Sequence, residues 1–325
     1  MSRPSSPKVA KALLRAAPIL LLALVWLGFG AMSRQSLSLT RFVEILVQSS
    51  WLTVLALGMS FVLLAAGVDL SVGSAMYLAA VAVGMEPAAT PLWLNIVTAL
   101  LVGAIFGACN GYFIARLKLP AFVVTLSTLF IARGLGLLLS STRMVYPSAA
   151  VAQFGRTTVL GILAPAWIAL IAIGCAWVIQ SRTPFGVYIR SIGGDGEGAR
   201  RAGVPMSAVT WGVYILCGTL AGLASFILLS ETAAASSAYG QNAEFLAIAA
   251  AVLGGTSLFG GRGSLWAPII GAILITSVQN GLAIMNANPY VYPVITGAII
   301  FIAAMVDTGR LTLIKRLERR RILIS

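Results

Sequence analysis

The sequence predicts an all-α, polytopic membrane protein with about ten transmembrane helices. Three observations carry that expectation. Of 325 residues, 59% are hydrophobic and only 10% charged, with a mean hydropathy of +0.97, whereas about a quarter of the residues of a soluble domain are charged. Apolar runs approaching the ~20 residues that a helix needs to cross the hydrocarbon core recur along the whole chain. The cationic residues between those runs are unequally shared between the two sides of the membrane that ten crossings would define.

Taken in order, Met1 to Arg15 is basic (Arg3, Lys8, Lys11, Arg15) and leads into an apolar run over 16–33. That run is long for the core of a signal peptide and lacks an obvious small-residue cleavage site, so it reads as the first crossing. Further crossings are expected at 42–66, 71–86, 92–115, 120–140, 158–180, 207–230, 244–260, 264–286 and 290–306. The spans 71–86 and 244–260 are short enough to be tilted, broken or re-entrant. With the N-terminus inside, one side collects Arg3, Lys8, Lys11, Arg15, Arg116, Lys118, Arg182, Arg190, Arg200, Arg201, Arg262 and the basic tail over 307–325. The other side has Arg34, Arg41, Arg143 and Arg156. Cytoplasmic loops are the cation-rich ones, so both termini and the 181–207 loop are expected in the cytoplasm. Ten crossings divide into five and five, the count of an inverted repeat, although no self-similarity is visible. The chain reads as one domain, 1–325.

Composition also excludes. The net charge of +13 would suggest nucleic acid in a soluble chain; here it reflects the cytoplasmic bias. There is no histidine, hence none of the commonest metal ligand and general base. Cys109, Cys175 and Cys217 lie far apart in apolar runs, a spacing that fits no metal or disulfide framework. No Gly-Lys pair exists, so a phosphate-binding P-loop is ruled out. The nine acidic residues are scattered singly, without the paired carboxylates or activated nucleophile of an enzyme.

The polar stretch 181–207 stands apart. Asp195 can cap a short helix, Glu197 suits its positive end, and Arg200 and Arg201 suit its negative end. Gly203 is placed to end it and Pro205 to block continuation. The helix is under two turns long and contains Gly196 and Gly198, each costing about 1 kcal/mol relative to alanine. It therefore needs a partner to hold it, or is an ordinary solvated loop.

Elsewhere, Asp69 with Ser71 fits either the N-cap of the next helix or the wall of a broken helix along a pathway. Gly103, Gly107 and Gly111, four apart, form a helix-packing face. Beside them Asn110 either bonds a neighbouring helix or faces a polar channel. Thr125, Ser127 and Thr128 give one helix a polar stripe, and Arg133 within it must pair with an acid or snorkel. The glycine-rich 254–264 segment reads as a tight turn, not a dinucleotide site. Gln279 and Asn280 place two amides mid-helix, suited to hydroxylated solutes or to interhelical bonds.

Five stretches together carry a resemblance: GVDLSVGS (67–74), Asn110-Gly111 followed by RLKLPAFVVTL (116–126), TPFGVYIRSIGGDGEGARRAGV (183–204), AVLGGTSLFGGRGS (251–264) and QNGLA (279–283). They resemble the membrane permease of bacterial ABC sugar importers, nearest to the ribose permease group with its galactofuranose, xylose and autoinducer-like relatives. The likeness covers about 45–307. It implies an inner-membrane subunit that imports a ribose-like or galactofuranose-like sugar and pairs with a second permease subunit, alike or related. A cytoplasmic ATPase would hold ATP and Mg, a periplasmic binding protein would deliver sugar, and this chain would bind no cofactor.

The resemblance further implies that 183–205 docks into the ATPase, with Gly193, Gly194, Asp195, Glu197, Ala199, Arg200, Arg201 and Gly203 as coupling residues. Asp69, Ser71, Asn110, Thr125, Gln279 and Asn280 are the pathway candidates. The family loop often reads G-G-N-x-x-A-A. Gly196 and Gly198 depart from it and should loosen the helix. Permeases for nucleosides or branched-chain amino acids share the architecture, and an ATPase-independent carrier is a further alternative. Such a carrier would need a proton relay, for which Asp69 and Arg133 offer little.

Overall fold

The structure, a computed structural model, describes residues 7–32, 38–288, 290–299, 301–302 and 305. Arg3, Arg34 and the 307–325 tail lie outside the described residues, as does part of the expected 290–306 crossing. What is described is mainly helical. In chain order the first helices are α1 (Pro7–Met32), α2 (Leu39–Gln48), α3 (Ser50–Leu64), α4 (Val72–Gly84), α5 (Leu92–Ala115), α6 (Ala121–Ser140) and α7 (Ala149–Arg156). A small hairpin, β1 (Thr158–Val159) and β2 (Ile162–Leu163), follows. Then come α8 (Ala164–Arg182), α9 (Pro184–Gly194), α10 (Gly196–Arg201), α11 (Met206–Thr232), α12 (Ala243–Gly254) and α13 (Trp266–Ile284). Residues 291–299 are again helical.

Every expected crossing meets a helix, but not all are of full length. Among the described residues α5, α6, α8, α11 and α13 are long and apolar enough to cross a membrane. The 42–66 run is a bent pair: α2 and α3 meet at 49°, and together they would make a sixth. Serines mark that bend. Ser49 Oγ and Ser50 Oγ both donate to Leu46 O, at 2.9 and 3.3 Å, and inserted side-chain bonds of this kind kink helices. By contrast α4, with 13 residues, and α12, with 12, reach only about 18–20 Å at 1.5 Å per residue.

The expected 158–180 crossing is corrected at its start. Thr158 and Val159 pair antiparallel with Leu163 and Ile162 around Leu160 and Gly161, both at positive φ, the geometry of a two-residue hairpin turn. The helix begins only at Ala164, where Pro165 occupies its first turn. The connection over 141–157, between two of the expected crossings, also contains a helix, α7.

The core centres on α11, which packs along α5, α3 and α4. Its seam with α5 is a contact of small residues, as the glycine spacing predicted. A Cβ at Gly103 would run into the Gly218 carbonyl, at Gly107 into Tyr214 O, and at Gly111 into Trp211. Gly218 and Gly222 answer from α11, facing Gly103 and Ala99. Without hydrophobic drive in lipid, close backbone approach is what holds helices together. Trp211 Nε1 donates to Ala108 O across the same seam at 2.9 Å.

Candidate functional site

Two neighbourhoods contain most of the predicted residues. The first is at the end of the molecule where α3, α5, α9 and α11 meet. There Ser207 Oγ donates to Ala115 O at 3.0 Å, and Gly261 N–H donates to Leu64 O at 2.9 Å. This end gathers Arg116, Lys118, Arg190, Arg200, Arg201 and Arg262. The opposite end joins Val145 to Ala235 by a backbone bridge and packs Gly155 against Ser230.

At the basic end the 181–207 stretch folds as two helices, of which the sequence reading had one. Pro184 and the extended Thr183 open α9. In α10 the caps stand where the residue types placed them. Asp195 accepts from Gly198 N–H at 3.0 Å. Gly203, at φ +80°, ends the helix: its N–H donates to Arg200 O and the Val204 N–H to Ala199 O, both at 3.1 Å. That pair of bonds is the Schellman arrangement. Ala199 is 5% exposed and faces inward, while Glu197 bonds outward-facing Arg200 at 3.2 Å and lies 3.8 Å from Arg201. Such exposed pairs add little stability. Gly193 packs on the Leu64 carbonyl and on Gly261, where a Cβ would not fit, whereas Gly194 is exposed with room beside it.

The second neighbourhood lies where the backbone leaves helical form between α3 and α4. Asp69 is 1% exposed. It is not the N-cap: α4 begins at Val72 behind Ser71, so Asp69 sits two residues earlier. Its Oδ1 accepts from Ser71 N–H at 2.9 Å and Ser71 Oγ–H at 2.6 Å. Asn110 Nδ2 of α5 donates to Ser71 Oγ at 2.8 Å, and Thr128 Oγ1 of α6 donates to Asn110 Oδ1 at 2.7 Å. Tyr214 of α11 donates its hydroxyl to Val68 O at 3.2 Å. The result is a buried polar chain across α4, α5 and α6. Asp69 Oδ2 has no hydrogen-bond partner among the described residues, an expensive state for a buried carboxyl oxygen.

Of the remaining candidates, Thr125 meets this chain only through its carbonyl, which accepts from Thr128 Oγ1 at 3.2 Å, and Gln279 and Asn280 lie apart from it. Thr125 is buried on α6 and donates to its own Ala121 O at 2.8 Å. Asn280 donates to Gln48 Oε1 at 2.8 Å, tying α13 to α2. Gln279 lines a separate cleft with Tyr292 and Thr296. Thr128 and Tyr214 were not singled out as site residues. Thr128 carried a weak signal, three residues from Thr125 on the same helix face; Tyr214 carried none.

Arg133 makes no direct ion pair among the described residues, but its charge interacts with that of Glu244. It donates to Tyr239 O at 2.8 Å and Ser237 O at 3.3 Å, with its guanidinium 5.0 Å from the Tyr77 ring centre. It thereby holds the non-helical 233–242 stretch against α6 and α4. That stretch brings Gly240 and Glu244, at the start of α12, onto Gly73 at the start of α4.

A helical bundle with several apolar helices long enough to cross a bilayer is, by class, a multi-pass membrane protein. The chain belongs to the family described as the branched-chain amino acid transport system permease component, whose model matches residues 41–304. Among its curated relatives, the ribose import permease protein RbsC of Haemophilus influenzae is 34% identical over 276 residues, covering 83% of this chain and 85% of that one. The D-allose transport system permease protein AlsC of Escherichia coli is 33% identical, with 88% and 89% covered. The xylose transport system permease protein XylH of Escherichia coli is 30% identical, with 84% and 86% covered. No solved structure matches. The protein is thus a multi-pass inner-membrane permease of the ABC sugar-importer group.

Proposed function

We propose that this chain is the transmembrane subunit of an importer for a monosaccharide such as ribose, driven by a separate cytoplasmic ATPase that binds ATP and Mg. It pairs with a second permease subunit and receives sugar from a periplasmic binding protein. Relatives named for ribose, allose, fructose and xylose support a neutral polyhydroxylated solute over the amino acids in the family's description.

The observation that carries the coupling role is α10. A six-residue helix does not persist alone in water, yet this one has both ends satisfied by its own residues. Buried Ala199 seats it and its charged side faces out. It is a shape prepared for a partner.

The basic end faces the cytoplasm in this reading, with both termini on that side. Ten crossings, some of half length, then fall into two sets of five. Crossings two and three (α2–α3, then α4) correspond to seven and eight (α11, then α12). Each pair consists of a long crossing, a non-helical stretch and a half-length helix, as an inverted repeat requires.

Reconstitution in proteoliposomes with a cognate sugar-importer ATPase and binding protein tests the proposal. The double change Arg200→Glu, Arg201→Glu is expected to lower ATP-dependent sugar uptake by an order of magnitude or more. It should also abolish stimulation of the ATPase by loaded binding protein. Unchanged uptake would refute the coupling role. Gradient-driven uptake by the permease alone would support a carrier instead.

A further inference from the structure

The glycine-rich turn over 254–264 has no part in the reading so far, yet it shares a wall with the coupling helices. A concavity of about 230 Å³ has Gly193 and Gly194 of α9 on one side and Ser257, Phe259 and Arg262 of the turn on the other. Gly194 directly precedes Asp195, the cap of α10.

The turn is rigidly mounted. Ser257 N–H donates to Arg262 O at 2.8 Å, and Phe259 N–H donates to Ser257 Oγ at 3.3 Å. Gly260 and Gly261 adopt φ of +87° and +71°. A Cβ on Gly260 would press on Ala66 and the Gly193 carbonyl, and one on Gly261 on the backbone of Gly194. Gly261 also bonds Leu64 O at the end of α3. On this braced turn the Phe259 ring is 63% exposed, and Arg262 is exposed beside it.

We infer that the turn is a second contact for the ATPase, with Phe259 as its anchor. This rests on the reading of α9 and α10 as the ATPase dock and extends that dock across the concavity. Three features favour a protein partner. The ring is carried on a backbone braced by close packing, so little loop freedom is lost on binding, and buried aromatic anchors dominate interface energies. The concavity is continuous with the proposed dock. Charge is unbalanced: Arg262 lines the concavity, and in the adjoining 184–201 segment the exposed Arg190, Arg200 and Arg201 outnumber Asp195 and Glu197, with Glu197 already shared by two arginines. The partner surface is therefore acidic and carries an apolar pocket for the ring.

The test measures affinity of the same cognate ATPase for the full-length permease in nanodiscs. Phe259→Ala and Arg262→Glu, both at exposed positions, are expected to weaken binding, Phe259→Ala by at least about tenfold. Wild-type affinity in both, together with lost binding in Arg200→Glu, Arg201→Glu, would overturn this inference and leave the α10 dock standing. Wild-type affinity in all of them would remove the α10 dock and this inference together. A second measurement separates protein from lipid as the cover for the ring. Phe259→Cys should react with a membrane-impermeant maleimide, above the background of the native cysteines, and be protected when the ATPase is added. A thiol unreactive without the ATPase lies in lipid and overturns the inference, as does one that the ATPase leaves unprotected.

Discussion

At the scale of single residues, Asp69 and Asn110 show how one buried carboxyl is accommodated. Only Oδ1 of Asp69 is engaged, so the amide of Asp69→Asn can still accept from Ser71 without a full charge to desolvate. Asp69→Ala would instead strip Ser71 of its acceptor. Asp69→Asn is therefore expected to keep close to wild-type thermal stability in detergent, and Asp69→Ala to lose it; the reverse order would mean that the charge itself is required. Asn110→Ala removes one partner each from Ser71 and Thr128, while Ser71 keeps Asp69 and Thr128 keeps carbonyls of its own helix. Losing these two buried hydrogen bonds is expected to cost about 1 kcal/mol each, visible as a drop in melting temperature. The sequence pointed to Asp69, Ser71 and Asn110 separately. It could not join them, because Ser71 and Asn110 are 39 positions apart and nothing local to either encodes the other.

At the scale of elements, the most legible feature was the shortest helix. The caps of α10 are chemical facts about Asp195 and Gly203, so they could be read without any tertiary knowledge. Asp195→Ala is expected to cost about 1 kcal/mol of local helix stability, measurable as faster amide exchange over 196–204 with the rest of the bundle unchanged. The α5–α11 seam was legible in the same way, from glycines four apart. Gly107→Val places a branched side chain against Tyr214 O and should destabilise by more than about 3 kcal/mol, as overpacking at backbone contact does. A variant that melts with the wild type would show that the seam can open. The elements that were missed, α7, the hairpin and α9, are short. The segments of α7 and α9 are not apolar enough to register as crossings, the apolar hairpin merges with the 158–180 run, and the positions of all three depend on what they rest against.

At the scale of the whole molecule, orientation is the quantity to test. Ala202, exposed just after α10, and Ala150, exposed on α7, lie at opposite ends. Ala202→Cys should be labelled by an impermeant reagent only in inside-out vesicles, and Ala150→Cys only in right-side-out vesicles. The opposite pattern would invert the expected topology and put α9 and α10 on the wrong side for the proposed ATPase. The same scale explains why two crossings are half length. Non-helical backbone survives at depth only when protein covers it. Here Tyr214 of α11 bonds Val68 O and Asn110 of α5 bonds Ser71, burying 69–71, and Arg133 with Tyr77 braces 233–242.

By itself the sequence determined that this chain lives in a membrane, roughly where its helices lie, which end is basic and how α10 is capped. Those properties are sums of local terms: transfer energy residue by residue, charge loop by loop, hydrogen bonds over three or four positions. Tertiary structure alone decided that the starts of the short helices α4 and α12 meet, that Asp69 is tied through Ser71 and Asn110 to Thr128, and that a glycine turn stands beside α9. Each of these depends on groups far apart in the chain meeting where water is absent, and only the packed bundle brings them together.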